Sequence, residues 1–541
     1  MIGRLLNRSR PHQRGGQEPR PPRPVRADPS RGEAEPRFLV TAAEAYPVFE
    51  ERMLAARRHV RMGFRIFDPL TRLRSEAARS VGETWFDLIV DTLSRGVRID
   101  LALCDFDPVV ASGLHRATWR AVRILLAAAE VAGPQARLRV VAAMHPARVS
   151  RVPRMALYGQ IRAELRTRAA WLSEMPDARR ARALEEMPGL AQYLVPRGDG
   201  FAPAPFALAG LVPATHHQKL AAFDEEWLYI GGLDLDERRW DDLRHDRPGA
   251  ETWHDVMVLV QGKAASDAHA HLGRFLDEVA GREIPARQAG HLLRTISRKR
   301  PTPHVKLSPD PLVDELAQLH YRAVAQAERF VYLESQFFRD RRLARIMAKA
   351  AEENPHLTCI LVLPAAPEDV AFEDNRDLSA RYGEALQAHC IRKIRRAFGR
   401  RLFVGCPARP TMQTGGLRGS YARAPIIYVH AKVSVFDDAL ACISSANLNG
   451  RSFRWDTEAG LAFDRGDDVR RLRRRLFEHW LPGDAGPECF APSTAAVSWA
   501  AIAEENLRLH PASRRGFMLP YSTRPSERFG KEVPGVPEEM V

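Results

Sequence analysis

Residues 216–235 read HHQKLAAFDEEWLYIGGLDL, and residues 428–452 read YVHAKVSVFDDALACISSANLNGRS. The two stretches align in strict register: His217 with His430, Lys219 with Lys432, Asp224 with Asp437, Gly232 with Ser445 and Asp234 with Asn447, each pair 213 positions apart. Two copies at so long a spacing do not describe a solenoid, whose repeats run to a few tens of residues. They describe a duplicated domain.

The flanking sequence carries the duplication further. In the first half, helix signals alternate with short β-branched runs: AAEAYPVFEERMLAARR reads as a helix, HVRMGFRIF as a strand, ETWFDLIVDTLSRG as a helix and VRIDLALC as a strand. The second half opens alike, with a helix at LVDELAQLHYRAVAQA, the strand RFVYLES, the helix RRLARIMAKAAEE and the strand LTCILVLP. The expected class is α/β.

Within each motif, His and Lys two apart project to one face of an extended strand, and the following run turns back through small residues. Each copy thus reads as a hairpin presenting His, Lys and a polar residue at one rim. The pattern His-x-Lys-x4-Asp would arise by chance roughly 0.02 times in a chain of this composition, so two hits in register need a cause. Only eight of the 81 basic residues are lysines, and two of those eight stand in the motifs. A compact ammonium at a fixed point suits a bound anion.

Two histidines flanking one phosphorus suit a displacement in which one attacks and the other protonates the leaving oxygen, both roles open to imidazole near neutral pH. The lysines and Asn447 would stabilise charge on the non-bridging oxygens. This chemistry calls for no metal and no cofactor. Each imidazole needs an acceptor on its other nitrogen. Glu458, 28 residues after His430, and Asp255, 38 after His217, are assigned that role, an insertion ERRWDDLRHDRPGAE separating Asp255 from its motif. Asp224 and Asp437 are expected to hold loops and lysines. Asp234, which cannot donate a hydrogen bond while ionised, is expected to pair with a lysine or serve structure.

Composition sets the outer bounds. At 541 residues with 45% hydrophobic content the chain is globular, of two to four domains on a prior of about 150 residues each. The net charge of +14 favours anionic partners, phospholipid headgroups or nucleic acid, without choosing between them. Six scattered cysteines have neither zinc-site spacing nor disulfide density and read as reduced core residues. No signal peptide or membrane-spanning run is present, so a cytoplasmic protein touching the membrane only peripherally is expected. Residues 1–36, rich in Pro, Arg and Gly, read as a basic disordered tail. The halves follow at 37–290 and 291–485. An extra helical stretch at about 150–205 sets Leu157, Ile161, Leu165 and Leu172 beside Arg162, Arg166 and Arg168. It reads as a helix packed over its domain or roofing the site, or else lying on a membrane surface. The end, 486–541, shows no clear periodicity and is expected to wrap the surface or stay loose.

The paired motifs, with GGLDLDERRWD, TWHDV, YLESQFF and SSANLNGRS, resemble the phospholipase D superfamily over about residues 37–485, and within it the phosphatidylcholine-type enzymes. The resemblance implies two pseudo-symmetric α/β/α sandwich domains with the active site at their interface, and a covalent phosphohistidine intermediate. It implies His217 as nucleophile and His430 as general acid, and the expected substrate is a phospholipid at a membrane surface, with water or an alcohol as acceptor, in a monomeric enzyme. The first copy departs from the commoner pattern, with Gly231, Gly232 and Asp234 where the second has Ser444, Ser445 and Asn447. A cardiolipin synthase-like phosphatidyltransferase and a nucleic-acid phosphodiesterase are the alternatives, the latter less favoured because both motif aspartates are present.

Overall fold

The computed structural model describes residues 24–25, 34–286, 290–300, 309–413 and 418–541. The first half contains β1 (Arg37–Val40), β2 (His59–Phe64), β3 (Arg98–Asp105), β4 (Leu138–Met144), the small ribbon β5 (Leu194–Arg197) and β6 (Gly200–Pro203), then β7 (Leu220–Phe223), β8 (Trp227–Gly231) and β9 (Val256–Gln261). The second contains β10 (Leu292–Arg298), β11 (Asp310–Asp314), β12 (Phe330–Ser335), β13 (Thr358–Val362), β14 (Leu402–Pro407), a ribbon of β15 (Ser420–Tyr421) and β16 (Ala424–Pro425), then β17 (Lys432–Phe436), β18 (Leu440–Ser444), β19 (Glu458–Phe463) and β20 (Met518–Pro520).

Two mixed sheets result, ordered β1-β9-β8-β7-β2-β3-β4 and β11-β10-β19-β18-β17-β12-β13-β14-β20. The run β9-β8-β7-β2-β3-β4 has its counterpart in β19-β18-β17-β12-β13-β14, parallel in the β2-β3-β4 and β12-β13-β14 portions and antiparallel elsewhere. The motifs occupy equivalent central hairpins, β7-β8 and β17-β18. This pseudo-symmetry is what the 213-residue register expresses in three dimensions.

Strand alternation divides the apolar side chains between layers. Leu220, Ala222, Leu228 and Ile230 of the first sheet share one buried core with Val433, Val435, Ala441 and Ile443 of the second, together with residues of the helices Lys263–Ala280 and Gly466–Trp480. On the opposite faces, Ala221, Phe223 and Tyr229 pack under the helices Thr41–Ala55 and Trp85–Ser94, and Val331, Leu333 and Leu361 under Glu315–Gln326, Arg341–Glu353 and Leu378–Phe398. Because the halves share a continuous core, their relative placement is fixed by burial of apolar surface rather than by a linker. All six cysteines are buried and unpaired.

The 150–205 stretch forms the helices Arg151–Ala156, Tyr158–Ser173 and Asp177–Glu185 and the β5-β6 ribbon. Ile161, Leu165 and Leu172 are spent on a small core of its own with Val109 and Leu190, so that apolar face packs within the domain. The 486–541 segment is more regular than its sequence suggested: Ala495–Arg508 is helical, burying Trp499, and β20 pairs antiparallel with the edge of β14. Of the expected tail, Pro24, Val25 and residues 34–36 are described, and the rest lies outside the described residues. Val25 is buried and bridges Phe463 on β19. Among the described residues no helix is long and apolar enough to cross a membrane.

Candidate active site

Backbone pairing between the halves builds the site. The N–H groups of His217 and Gln218 donate to the Thr457 carbonyl at 2.8 and 2.9 Å, and those of His430 and Ala431 donate to the His254 carbonyl at 2.8 and 3.1 Å. Thr457 and His254 immediately precede Glu458 and Asp255. Each motif histidine is thereby set beside the carboxylate of the other half. His217 Nδ1 lies 3.0 Å from Glu458 Oε1, and His430 Nδ1 lies 2.6 Å from Asp255 Oδ2. This corrects the pairing read from the sequence, which matched each histidine with the acid downstream in its own half. The pairing crosses because Asp255, just before β9, and Glu458, which opens β19, directly follow the carbonyls that receive the opposite motif's N–H groups.

With Nδ1 engaged by a carboxylate, each ring leaves Nε2 for chemistry. His217 and His430 both line one cleft of about 480 Å³, with Arg65, Arg239, Arg339, Asn447 and Tyr428 among its walls. Burial, reinforced by Lys219 beside His217 and Lys432 beside His430, holds both imidazoles well below their ordinary range. Burial pushes Asp255 up to about 6 against the pull of Lys432. It pushes Glu458 up to about 8, with Asp456 adding to the rise and Lys219 opposing it.

The lysines are buried behind the histidines. Lys219 Nζ donates to the His217 carbonyl at 2.7 Å and stands 3.7 Å from Asp234 Oδ2; Lys432 Nζ donates to the His430 carbonyl. Burial lowers both ammonium groups, Lys432 to about 7 although Asp255 opposes the shift. Asp234 also accepts the backbone N–H of Ile66 at 3.0 Å, so it fastens β2 to the motif loop while facing Lys219. At the equivalent position Asn447 donates to Gln336 Oε1 at 3.2 Å, and its own Oδ1 is buried without a partner.

The Gly232 and Ser445 positions differ for a steric reason. A Cβ on Gly232 would stand 2.2 Å from Asp255 Oδ1 and 3.2 Å from the Lys432 side chain. In the other copy Ser445 Oγ donates to Glu458 Oε2 and steadies that acid instead.

Asp224 and Asp437 stand away from the cleft. Each opens a hairpin turn at positive φ, 54° in both cases, a conformation Asp tolerates better than most residues. The Asp224 carboxylate accepts the N–H groups of Arg57, Arg58 and His59 at 2.8–2.9 Å, and that of Asp437 accepts those of Glu328, Arg329 and Phe330 at 2.6–2.7 Å. They hold loops, tying each motif turn to the start of the neighbouring strand, and among the described residues neither pairs with a lysine as the sequence suggested.

Sequence reasoning missed several groups. The Trp253 ring lies against His430 with centroids 4.6 Å apart, and the Arg239 guanidinium covers Trp253 at 3.7 Å. Arg239 in turn pairs with Glu368 of the second half at 3.4 Å. Trp253 is part of the TWHDV motif and Arg239 lies in the insertion, so their proximity to the site gave a signal that position alone could not decode. Arg65 follows β2, and Arg451 and Asp456 face each other across 3.0 Å near the cleft.

No family model matches the chain. Among curated proteins it is similar to phospholipase D1 of Schizosaccharomyces pombe, 25% identical over 339 residues covering 46% of this chain and 24% of that protein. It is similar to phospholipase D zeta 2 of Arabidopsis thaliana, 29% identical over 225 residues covering 36% and 20%, and to phospholipase D2 of Bos taurus, 22% identical over 360 residues covering 46% and 37%. The matches thus span well under half the length of these relatives. Among solved structures, a phosphatidylserine synthase of Haemophilus influenzae aligns with a TM-score of 0.48 and 12% identity, covering 82% of this chain and 85% of that one.

Proposed function

We propose that this chain, a sequence relative of the phospholipases D, is a phosphatidyltransferase or phospholipase D. It cleaves the distal phosphodiester of a glycerophospholipid at a membrane surface and passes the phosphatidyl group to water or an alcohol. The observation that carries the reading is the crossed pair of buried imidazoles, His217 on Glu458 and His430 on Asp255, opening onto one cleft with a buried lysine behind each.

In this reading the His217 Nε2 lone pair attacks phosphorus, forming a P–N bond. The P–O bond to the headgroup breaks, and His430, protonated on Nε2, supplies the proton to the departing oxygen. In the second step neutral His430 takes a proton from water or an alcohol, whose oxygen displaces His217. The assignment of roles follows the resemblance of the paired motifs, the first-half histidine attacking and His430, 2.6 Å from Asp255, carrying the proton. Lys219, Lys432 and Asn447 offset charge on the non-bridging oxygens.

Vesicles of phosphatidylcholine, phosphatidylethanolamine or phosphatidylglycerol, incubated with the protein and a primary alcohol, test the proposal by mass spectrometry of the products. Phosphatidyl-alcohol that disappears with His217→Ala supports it. Cardiolipin formed from phosphatidylglycerol alone would narrow the acceptor to a second lipid. Cleavage of a single-stranded oligonucleotide with no lipid turnover would overturn it in favour of nucleic acid.

A further inference from the structure

Behind His430 lies a second group of histidines that this reaction does not use. His245 and His254 come from the loop between β8 and β9, and His479 from the last turn of the helix Gly466–Trp480 in the other half. Each offers a ring nitrogen, and the three nitrogens lie within 4.8 Å of one another. Ring centroids are 5.8 Å apart for His245 and His254, 5.1 Å for His245 and His479, and 4.7 Å for His254 and His479. His245 and His254 are wholly buried, while His479 is partly exposed.

The carboxylates around them are arranged as outer partners of metal ligands would be. Asp241 Oδ2 lies 2.7 Å from His245 Nδ1, which leaves Nε2 free to face His479 Nε2 at 3.0 Å. Glu334 Oε1 contacts His254 Nε2, and Glu334 is itself held by the Tyr332 hydroxyl at 2.7 Å. Both ring nitrogens of His254, and Glu334 Oε1, are buried with no hydrogen-bond partner. Histidine ligands commonly give one nitrogen to a carboxylate and the other to the metal, the carboxylate fixing tautomer and ring orientation.

A purely hydrogen-bonded cluster explains less. One proton shared between His245 and His479 satisfies those two nitrogens and leaves the buried His254 ring unpaired. A cation among the three rings takes one nitrogen from each. With Zn–N bonds of about 2.0–2.1 Å in tetrahedral geometry, ligand nitrogens stand about 3.3 Å apart, so the pair at 3.0 Å opens slightly and the third nitrogen, within 4.8 Å of the others, draws in to hold the ion. Three imidazoles without a ligating carboxylate suit zinc and its neighbours and not magnesium or calcium.

We propose that His245, His254 and His479 form a binding site for a zinc-like divalent cation that ties the two halves together behind the cleft. The His254 carbonyl receives the backbone N–H groups of His430 and Ala431, and the next residue is Asp255, so the ion would also steady the His430 side of the active site. The site stands on its own observations, independent of the lipid reading.

The test strips the full-length protein with a chelator, adds equimolar zinc, desalts, and measures retained metal and thermal unfolding. His430→Gln serves as control for zinc held in the catalytic cleft, and His479→Gln removes the partly exposed ligand. Expected are one zinc retained and a raised Tm for wild type and His430→Gln, with both effects lost in His479→Gln. Equal zinc retention with and without His479, or a stripped wild type that neither retains zinc nor gains stability, overturns the site. Should His479→Gln fail to fold, cobalt-loaded wild type decides: strong visible absorption of a tetrahedral centre supports the proposal, and its absence refutes it.

Discussion

Asp255 and His430 belong to different halves of the duplication, yet the Asp255 Oδ2 atom lies 2.6 Å from His430 Nδ1. Its mirror image, Glu458 on His217 at 3.0 Å, makes the exchange reciprocal. The two acids are therefore separable by experiment. Asp255→Asn and Glu458→Gln should each lower kcat by about 10²–10⁴, the range for losing an imidazole's carboxylate partner. With a p-nitrophenyl phosphodiester, whose leaving group needs no proton, the single-turnover release of p-nitrophenolate by Asp255→Asn should recover much of its rate and that by Glu458→Gln should not. The opposite pattern would reverse the roles of the two histidines.

The lysine behind His430 sets a pH limit. Lys432 is lowered to about 7 by burial, so its charge is present below that pH and lost as pH rises through it. The kcat/KM profile, which reports the free enzyme, should fall above about pH 7. A bound phosphodiester anion favours the charged lysine, so the corresponding limb of kcat should lie at higher pH. Coincident limbs in the two profiles would remove Lys432 from the phosphate.

Gly232 is the tightest point of the site. Gly232→Ala puts a methyl group 2.2 Å from the present position of Asp255 Oδ1, and the acid must move. A displacement of about 1 Å in such a partner costs about 10²-fold in rate. Circular dichroism should show a folded protein, and turnover should fall by that factor with KM nearly unchanged.

Asp224 should affect stability and not chemistry. Burial works against its ionisation, but the N–H groups of His59, Arg57 and Arg58 outweigh it and hold the carboxyl below its usual range. Asp224→Ala removes the acceptor of three backbone donors and should cost about 1–3 kcal/mol in urea unfolding. Activity per folded molecule should stay near the wild-type value; a loss as large as that of His217→Ala would place Asp224 in the reaction.

These differences show what the sequence could and could not convey. The hairpins were legible because the short apolar runs LAAF and VSVF, each ending in an Asp turn, are local features, and the repeat fixed which hairpin matched which. The acids were legible as residues but not as partners, since crossing depends on which sheet edge meets which, a relation between positions 241 and 175 residues apart. The regularity of Ala495–Arg508 was hidden because its apolar positions are mostly alanines, and only Trp499 reaches deep into the core. The three clustered histidines left no spacing signature, because His479 joins the other two from the opposite half.

The exchange of acids also bears on how such a chain could arise. A single ancestral half, carrying one histidine and one acid at the same edges, could not orient its own imidazole, but two copies meeting face to face would complete both sites at once. In this chain one site has Gly beside Asp and the other Ser beside Glu, so the two histidines of a nearly symmetrical pair stand in unequal surroundings.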